Sequence, residues 1–147
     1  MGKGRFVLMN ILILGATGRV GSQIVNHALH DGHHVTVLVR TPEKIQITNE
    51  ELTIIQGNGL NKDGNQRAGQ SVQQKNIIYT MLKHSGLEWT IVCPTYLPDG
   101  ESIGKYRIDD DFLPEGGTEI SVSDTAEFTF SQIKSSDYIG SRVGIAY

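Results

Sequence analysis

Three glycines in the stretch MNILILGATGRVGSQIV, residues 9–25, stand at the spacing Gly15-x-x-Gly18-x-x-Gly21. Glycines at that spacing let the backbone turn sharply and come close to a pyrophosphate, and the third lets the following helix pack tightly on the preceding strand. The anion site itself is made of free N–H groups and the positive end of the helix dipole. Gly15, Thr17, Gly18, Arg19, Val20 and Gly21 are therefore the candidate pyrophosphate contacts. Further on, Arg40 ends the run HVTVLVR. At that place an acidic residue binds the ribose 2′-OH of NAD, whereas an arginine accommodates the 2′-phosphate of NADP. Arg40, with Arg19 beside the glycine turn, predicts NADP(H) as the preferred cofactor, with NAD(H) the alternative.

Other residues carry weaker chemistry. Tyr79-x-x-x-Lys83 puts a phenol and an ammonium on one helix face, where the lysine would lower the phenol's pKa for proton donation. The same spacing is that of a surface pair on an amphipathic helix, which is the reading adopted. His27, His30, His33 and His34 lack cysteine or carboxylate partners at ligand spacing, and the first two suit a helix C-terminus, so no metal is predicted. Asp109-Asp110-Asp111 lacks calcium-loop spacing and reads as a solvated acidic turn. Cys93, in an apolar run, reads as a packed thiol. No catalytic residue is assigned.

These residues need elements to hold them. NILILG is a continuous apolar run, which predicts a parallel strand covered on both faces. Val20, Ile24, Val25, Ala28 and Leu29 recur at helical spacing over Arg19 to about His30, and HVTVLVR follows as a second strand. Strand, tight turn, helix and strand make a βαβ unit with a right-handed crossover. LTIIQGN (52–58) predicts a third strand, the Gly- and Asn-rich stretch 57–70 a loop, and SVQQKNIIYTMLKHSG a helix. EWTIVCPT then reads as a strand ended by Pro94, followed by a Gly/Asp-rich loop. A helix capped by Ser121 or Ser123 with Ala126, Phe130 and Ile133 behind it comes next, and RVGIAY is a last short strand.

The chain's 147 residues suit a single domain, 1–147. A net charge of −3 with interspersed signs gives no basic face for nucleic acid or an anionic membrane. One cysteine precludes an internal disulfide framework and suits a reducing compartment, so a cytoplasmic location is expected. Lys3 and Arg5 before FVLMNILIL imitate a signal peptide, but the run leads into a glycine turn with no small-residue cleavage site. No apolar segment is long enough to span a membrane.

ILGATGRVGSQIV, GHHVTVLVRTPEK, SGLEWTIVCPT, ISVSDTAEF and SRVGIAY together resemble, in that order, segments of the atypical short-chain dehydrogenase/reductases of the NmrA-like and biliverdin-reductase-B-like, flavin-reductase-like kind. The resemblance implies a Rossmann-type doubly wound parallel sheet, here shortened. It also implies that Asn58, where the family usually has Asp, meets the adenine edge and that Thr95 lies on the loop facing the nicotinamide. Between the third strand and the SGLEWTIV segment the family carries a fourth strand, a helix and a fifth strand, where this chain has only GNGLNKDGNQRAGQ. In the family's register the catalytic lysine falls on Lys75 and its tyrosine partner on Ser71, away from Tyr79 and Lys83; Cys93 stands where an arginine is common. The implied function is an NAD(P)H-dependent oxidoreductase acting on a flavin- or quinone-like small molecule, its activity reduced by the missing segment. The alternative is a non-catalytic NADP(H)-binding sensor or interaction protein of the NmrA type. The lost strands leave EWTIVC either paired beside NILILG or facing an open edge, which predicts a homo-oligomer.

Overall fold

In the computed structural model, which describes residues 7–57 and 79–147, alternation organises the first half. Strand β1 (Asn10–Leu14) leads through the glycine turn into helix α1 (Arg19–His30), then into β2 (His34–Val39) and β3 (Leu52–Gln56). The three strands form a parallel sheet in the order β1-β2-β3, with Leu14 level with Leu38 and Leu38 level with Ile55. Val35, Val37 and Val39 of β2 turn inward with Ile13 of β1, and Val25, Ala28 and Leu29 of α1 close over them as one apolar core. Each valine, leucine or isoleucine among them contributes about 1.5–3 kcal/mol on full burial, so α1 is held by its inner face rather than by its intrinsic propensity.

The second half holds helix α2 (residues 79–84), β4 (Thr90–Pro94), β5 (Arg107–Asp110), α3 (Val122–Ser131) and β6 (Ser141–Ala146). Here the order is β4-β6-β5, with β4 parallel and β5 antiparallel to β6. Ile120, Phe128, Val143 and Ile145 form the core beneath α3. Among the described residues no strand pairing joins the two sheets; helix packing does. α1 lies against α3, His27 stacks on Phe130 with ring centroids 5.8 Å apart, and Lys134 Nζ bonds to Asp31 Oδ2 at 2.7 Å. This is a Rossmann-type α/β fold built on a short parallel sheet.

Three expectations are corrected. Among the described residues β1 is covered on one face only: α1 lies over Ile11 and Ile13, while Leu12 and Leu14 are each 63% exposed. The expected loop after Pro94 contains β5, and Asp109 and Asp110 belong to that strand rather than to an acidic turn. All four β5 residues are exposed, so no apolar alternation marks it; the ladder to β6 and the Arg107 guanidinium, bonded to Glu115 O and Tyr147 O at 2.6 Å each, hold it there. Ile133, expected on the inner face of the late helix, falls in a 3₁₀ turn beyond α3 and is 41% exposed. The expected helix from Ser71 and the loop 57–70 lie largely outside the described residues.

Ser121 caps α3, its Oγ accepting from Asp124 N–H at 3.0 Å. Asp124, fully buried, gathers the surrounding chain: Ser102 Oγ donates to Oδ1, Gly104 N–H to Oδ1 at 3.0 Å, Ile103 N–H to Oδ2 at 2.9 Å and Tyr147 Oη to Oδ2 at 2.7 Å. Burial pushes its pKa up, but the hydrogen bonds from Ser102, Tyr147, Ile103 and Gly104 outweigh it and hold the carboxyl at about 2. A native pKa below the unfolded value of about 3.9 stabilises the fold above pH 4, and that increment is lost as pH falls from about 4 to about 2. Asp124→Asn should cost about 2–3 kcal/mol at neutral pH and flatten stability between pH 4 and 2. Denaturant unfolding at several pH values checks this; a variant with wild-type pH dependence would remove Asp124 from the account.

Gly15 and Gly21 fix how closely α1 approaches β1. Gly15 adopts φ +79°, a left-handed conformation costly for other residues. A Cβ at Gly21 would stand 2.1 Å from Gly15 O and 2.8 Å from Gly15 C, backbone atoms that cannot swing aside. At Gly18 the nearest contact, again Gly15 O, would be 3.2 Å, an overlap of only a few tenths of an ångström. Gly21→Ala should therefore destabilise the fold by about 1–3 kcal/mol, and Gly18→Ala by less. Thermal unfolding of both variants decides the matter, and equal losses would sink the close-approach argument.

Candidate nucleotide site at the glycine turn

β1 ends at Leu14, and Gly18 N–H bonds back to Gly15 O at 2.9 Å, closing the turn over a buried Ala16. Gly18 is the N-cap of α1, but it has no capping side chain, and the first turn holds no acidic residue. The first bond of the helix runs from Ser22 N–H to Gly18 O at 3.0 Å, so the N–H groups of Arg19, Val20 and Gly21 bond to no described residue. Uncapped donors on the positive end of a helix make an anion site. Thr17 and Gly18 are exposed beside them and Val20 half-buried.

Arg19 turns its guanidinium toward the loop after β4. Its Nε and Nη2 donate to Asp99 Oδ1 at 3.1 and 2.6 Å, and Nη2 also donates to Leu97 O at 2.8 Å. These bonds bring the C-terminal end of β4 to the glycine turn. Thr95 sits at that end, its N–H bonded to Ile145 O at 3.3 Å, while its buried Oγ1 has no hydrogen-bond partner among the described residues. A buried hydroxyl left unpaired is free to bond to a ligand.

Arg40 follows β2 directly, and the register with β1 sets it beside the turn, since Leu38 is level with Leu14 and adjacent strands lie about 4.8 Å apart. It is exposed; its carbonyl accepts from Gln56 Nε2 at 3.4 Å, and its guanidinium bonds to no described residue. Gly15, Thr17, Gly18, Arg19, Val20, Gly21 and Arg40 thus share one end of the sheet, with Thr95 tied to it through the β4 loop. Asn58, Ser71 and Lys75 lie outside the described residues. An uncapped helix end, a glycine cradle that Cβ atoms would fill, a free arginine and an unpaired hydroxyl fit a dinucleotide.

The other candidates are engaged in packing. The Tyr79 ring has Arg142 Cζ 4.7 Å and Lys83 Nζ 5.4 Å from its centroid and meets Trp89 edge-on at 5.8 Å. His33 is buried, its Nδ1 accepting from Met9 N–H at 3.2 Å, and no metal-ligand cluster occurs among the described residues. Cys93 lines a small cleft with Phe112, Leu113 and Arg142. No helix among the described residues is long and apolar enough to cross a membrane. Asp99 and Leu97 were not singled out in the sequence: they lie about 80 residues from Arg19 and belong to no motif.

The fold has solved counterparts. A Rossmann-fold NAD(P)-binding family protein from Shigella flexneri is 24% identical, with 95% of this chain and 93% of that one covered and a TM-score of 0.75. A short-chain dehydrogenase/reductase from Veillonella parvula, solved in complex with NADP, is 19% identical over 96% of this chain and 95% of that one, TM-score 0.71. A candidate NADH-flavin reductase from Streptococcus pneumoniae is 17% identical over 95% and 99%, TM-score 0.69. No curated protein matches the chain. The family model described as NAD(P)H-binding matches residues 15–69 and 59–136, two overlapping stretches that begin at the first glycine of the turn and run into the turn beyond α3. With that span matched and the turn built as a dinucleotide seat, the chain belongs to the NAD(P)H-binding family.

Proposed function

We propose that the chain binds NADP(H) in preference to NAD(H) and works as an NAD(P)H-dependent oxidoreductase of the flavin- or quinone-reductase kind. The observation that carries the cofactor preference is Arg40: an exposed guanidinium, bonded to no described residue, beside an uncapped glycine turn. The N–H groups of Arg19, Val20 and Gly21 would hold the pyrophosphate, Arg40 the 2′-phosphate, and Thr95 Oγ1 would face the nicotinamide half. Bound there, the reduced nicotinamide supplies a hydride. The chain's own part is to bind, orient and neutralise charge. The candidate NADH-flavin reductase and the NADP-bound reductase among the solved counterparts support this reading.

The packing of Tyr79 against Arg142 and Trp89 favours the second reading, a non-catalytic sensor, because it leaves no tyrosine–lysine acid at the turn among the described residues. Exposed Leu12, Leu14 and Ile55 on one sheet face, with β1 at the sheet edge among the described residues, support association with a second copy. NADPH oxidation with added flavin or quinone, run alongside sedimentation at low micromolar concentration, separates these readings. Slow turnover by an oligomer is expected; binding without turnover would leave the sensor, and a compact monomer would refute the association.

Arg40→Ala should lower the preference for NADPH over NADH about 10- to 100-fold, the loss of about 1.5–3 kcal/mol from a charge-assisted phosphate contact. Titration of both nucleotides into wild type and variant measures it. An unchanged ratio would take Arg40 out of the site.

A further inference from the structure

Arg19 opens the helix whose N–H groups would take a cofactor phosphate, yet its guanidinium is occupied by the chain itself. Asp99 Oδ1 accepts from its Nε and Nη2 and Leu97 O from Nη2, at 3.1, 2.6 and 2.8 Å. We infer that Asp99 is an internal competitor for the phosphate: its carboxylate holds Arg19 when the turn is empty and gives it up when a nucleotide phosphate arrives. The inference rests on the proposed function, since it requires the turn to bind a dinucleotide.

Two observations carry it. The Asp99 side chain is 90% exposed and that of Arg19 53%, so the pair is screened and easily broken. The helix that Arg19 opens has no acid of its own in its first turn, so Asp99 reaches that end only through the Arg19 guanidinium. A phosphate at that end would meet the same guanidinium, the free N–H groups and the dipole together, a fuller set of partners than the carboxylate has.

The surrounding loop has little freedom to follow. Val122 N–H bonds to Pro98 O at 3.3 Å, Ser123 Oγ to Gly100 O at 3.1 Å, and Ile103 and Gly104 N–H to the Asp124 carboxylate. Those ties hold the loop to the start of α3 on both sides of Asp99. The displacement is therefore confined to the Asp99 side chain, which moves into solvent. Leu97 O keeps its bond to Arg19, so the guanidinium stays oriented over the turn while its charge is released. Asp99 acts through Arg19, as a positioning residue that sets affinity.

The test is a double-mutant cycle read by calorimetric titration of NADPH, with pyrophosphate as a second probe that reports the turn alone. Asp99→Asn and Asp99→Ala should each tighten both probes about 2- to 5-fold, the range set by an exposed ion pair. Arg19→Ala should weaken both, and adding Asp99→Ala to it should change nothing further. Equal or weaker binding by the Asp99 variants, while wild type binds NADPH, would overturn the competition and leave the proposed function standing. The same tightening in the Arg19→Ala background would overturn it too, because Asp99 would then act through space. If wild type binds neither probe, the proposed function fails first and the competition falls with it.

Discussion

The seating of α1 on β1 is the constraint from which the rest of the molecule follows. The backbone of Gly15 and the bare Cα of Gly21 meet where a Cβ would stand 2.1 Å from a carbonyl oxygen. That contact lets Val25, Ala28 and Leu29 reach Ile13, Val35 and Val37. It also sets the direction in which the opposite flank of α1 presents His27 to Phe130 on α3. Because α1 and α3 rather than strands join the two sheets among the described residues, a shift of α1 off β1 would move the second sheet and the β4 loop with it. One short contact thus positions both walls of the candidate site.

The two long helices begin in opposite ways. α3 starts with Ser121 accepting from Asp124 N–H, and Asp124 in turn collects donors from three loop residues and from Tyr147. α1 starts on a glycine with no side-chain cap and no acid. A missing cap leaves donors that a serine, threonine or aspartate would satisfy, typically about 1 kcal/mol of lost stability. Burial along the α1 inner face tolerates that loss, and the unsatisfied N–H groups become the means of holding an anion. The cap on α3 closes its end with the chain's own groups, and the end of α1 stays open at the candidate site.

Much of this was legible in the sequence because it is local. The bounds of α1, the strand β2, a serine cap on α3 at Ser121 or Ser123 and the sharp turn at the glycines all depend on residues within a few positions of each other. What was not legible depends on distant pairing. β5 has four exposed residues and no alternation, and it becomes a strand only because β6 lies beside it. The bareness of Leu12 and Leu14 could not be read from an apolar run, since the run does not say whether a second layer covers it. Asp99 entered no motif, because its meaning comes from Arg19, about 80 residues earlier.

An open α/β sheet binds its ligand outside the carboxyl ends of its strands, at the crevice where strand order changes direction. Here the crevice has the end of β1 on one side and the end of β4 on the other, and no described strand lies between them. The bonds Arg19 makes to Asp99 and Leu97 tie the two sides together where no described ladder does. A ladder is stiff and indifferent to ligand, whereas an exposed ion pair is weak and responds to any new anion. The glycine-turn side of the candidate site accordingly rests on the close backbone approach of Gly15 and Gly21. On the Thr95 side the loop backbone is tied to the start of α3, and the Asp99 side chain is the weakly held part.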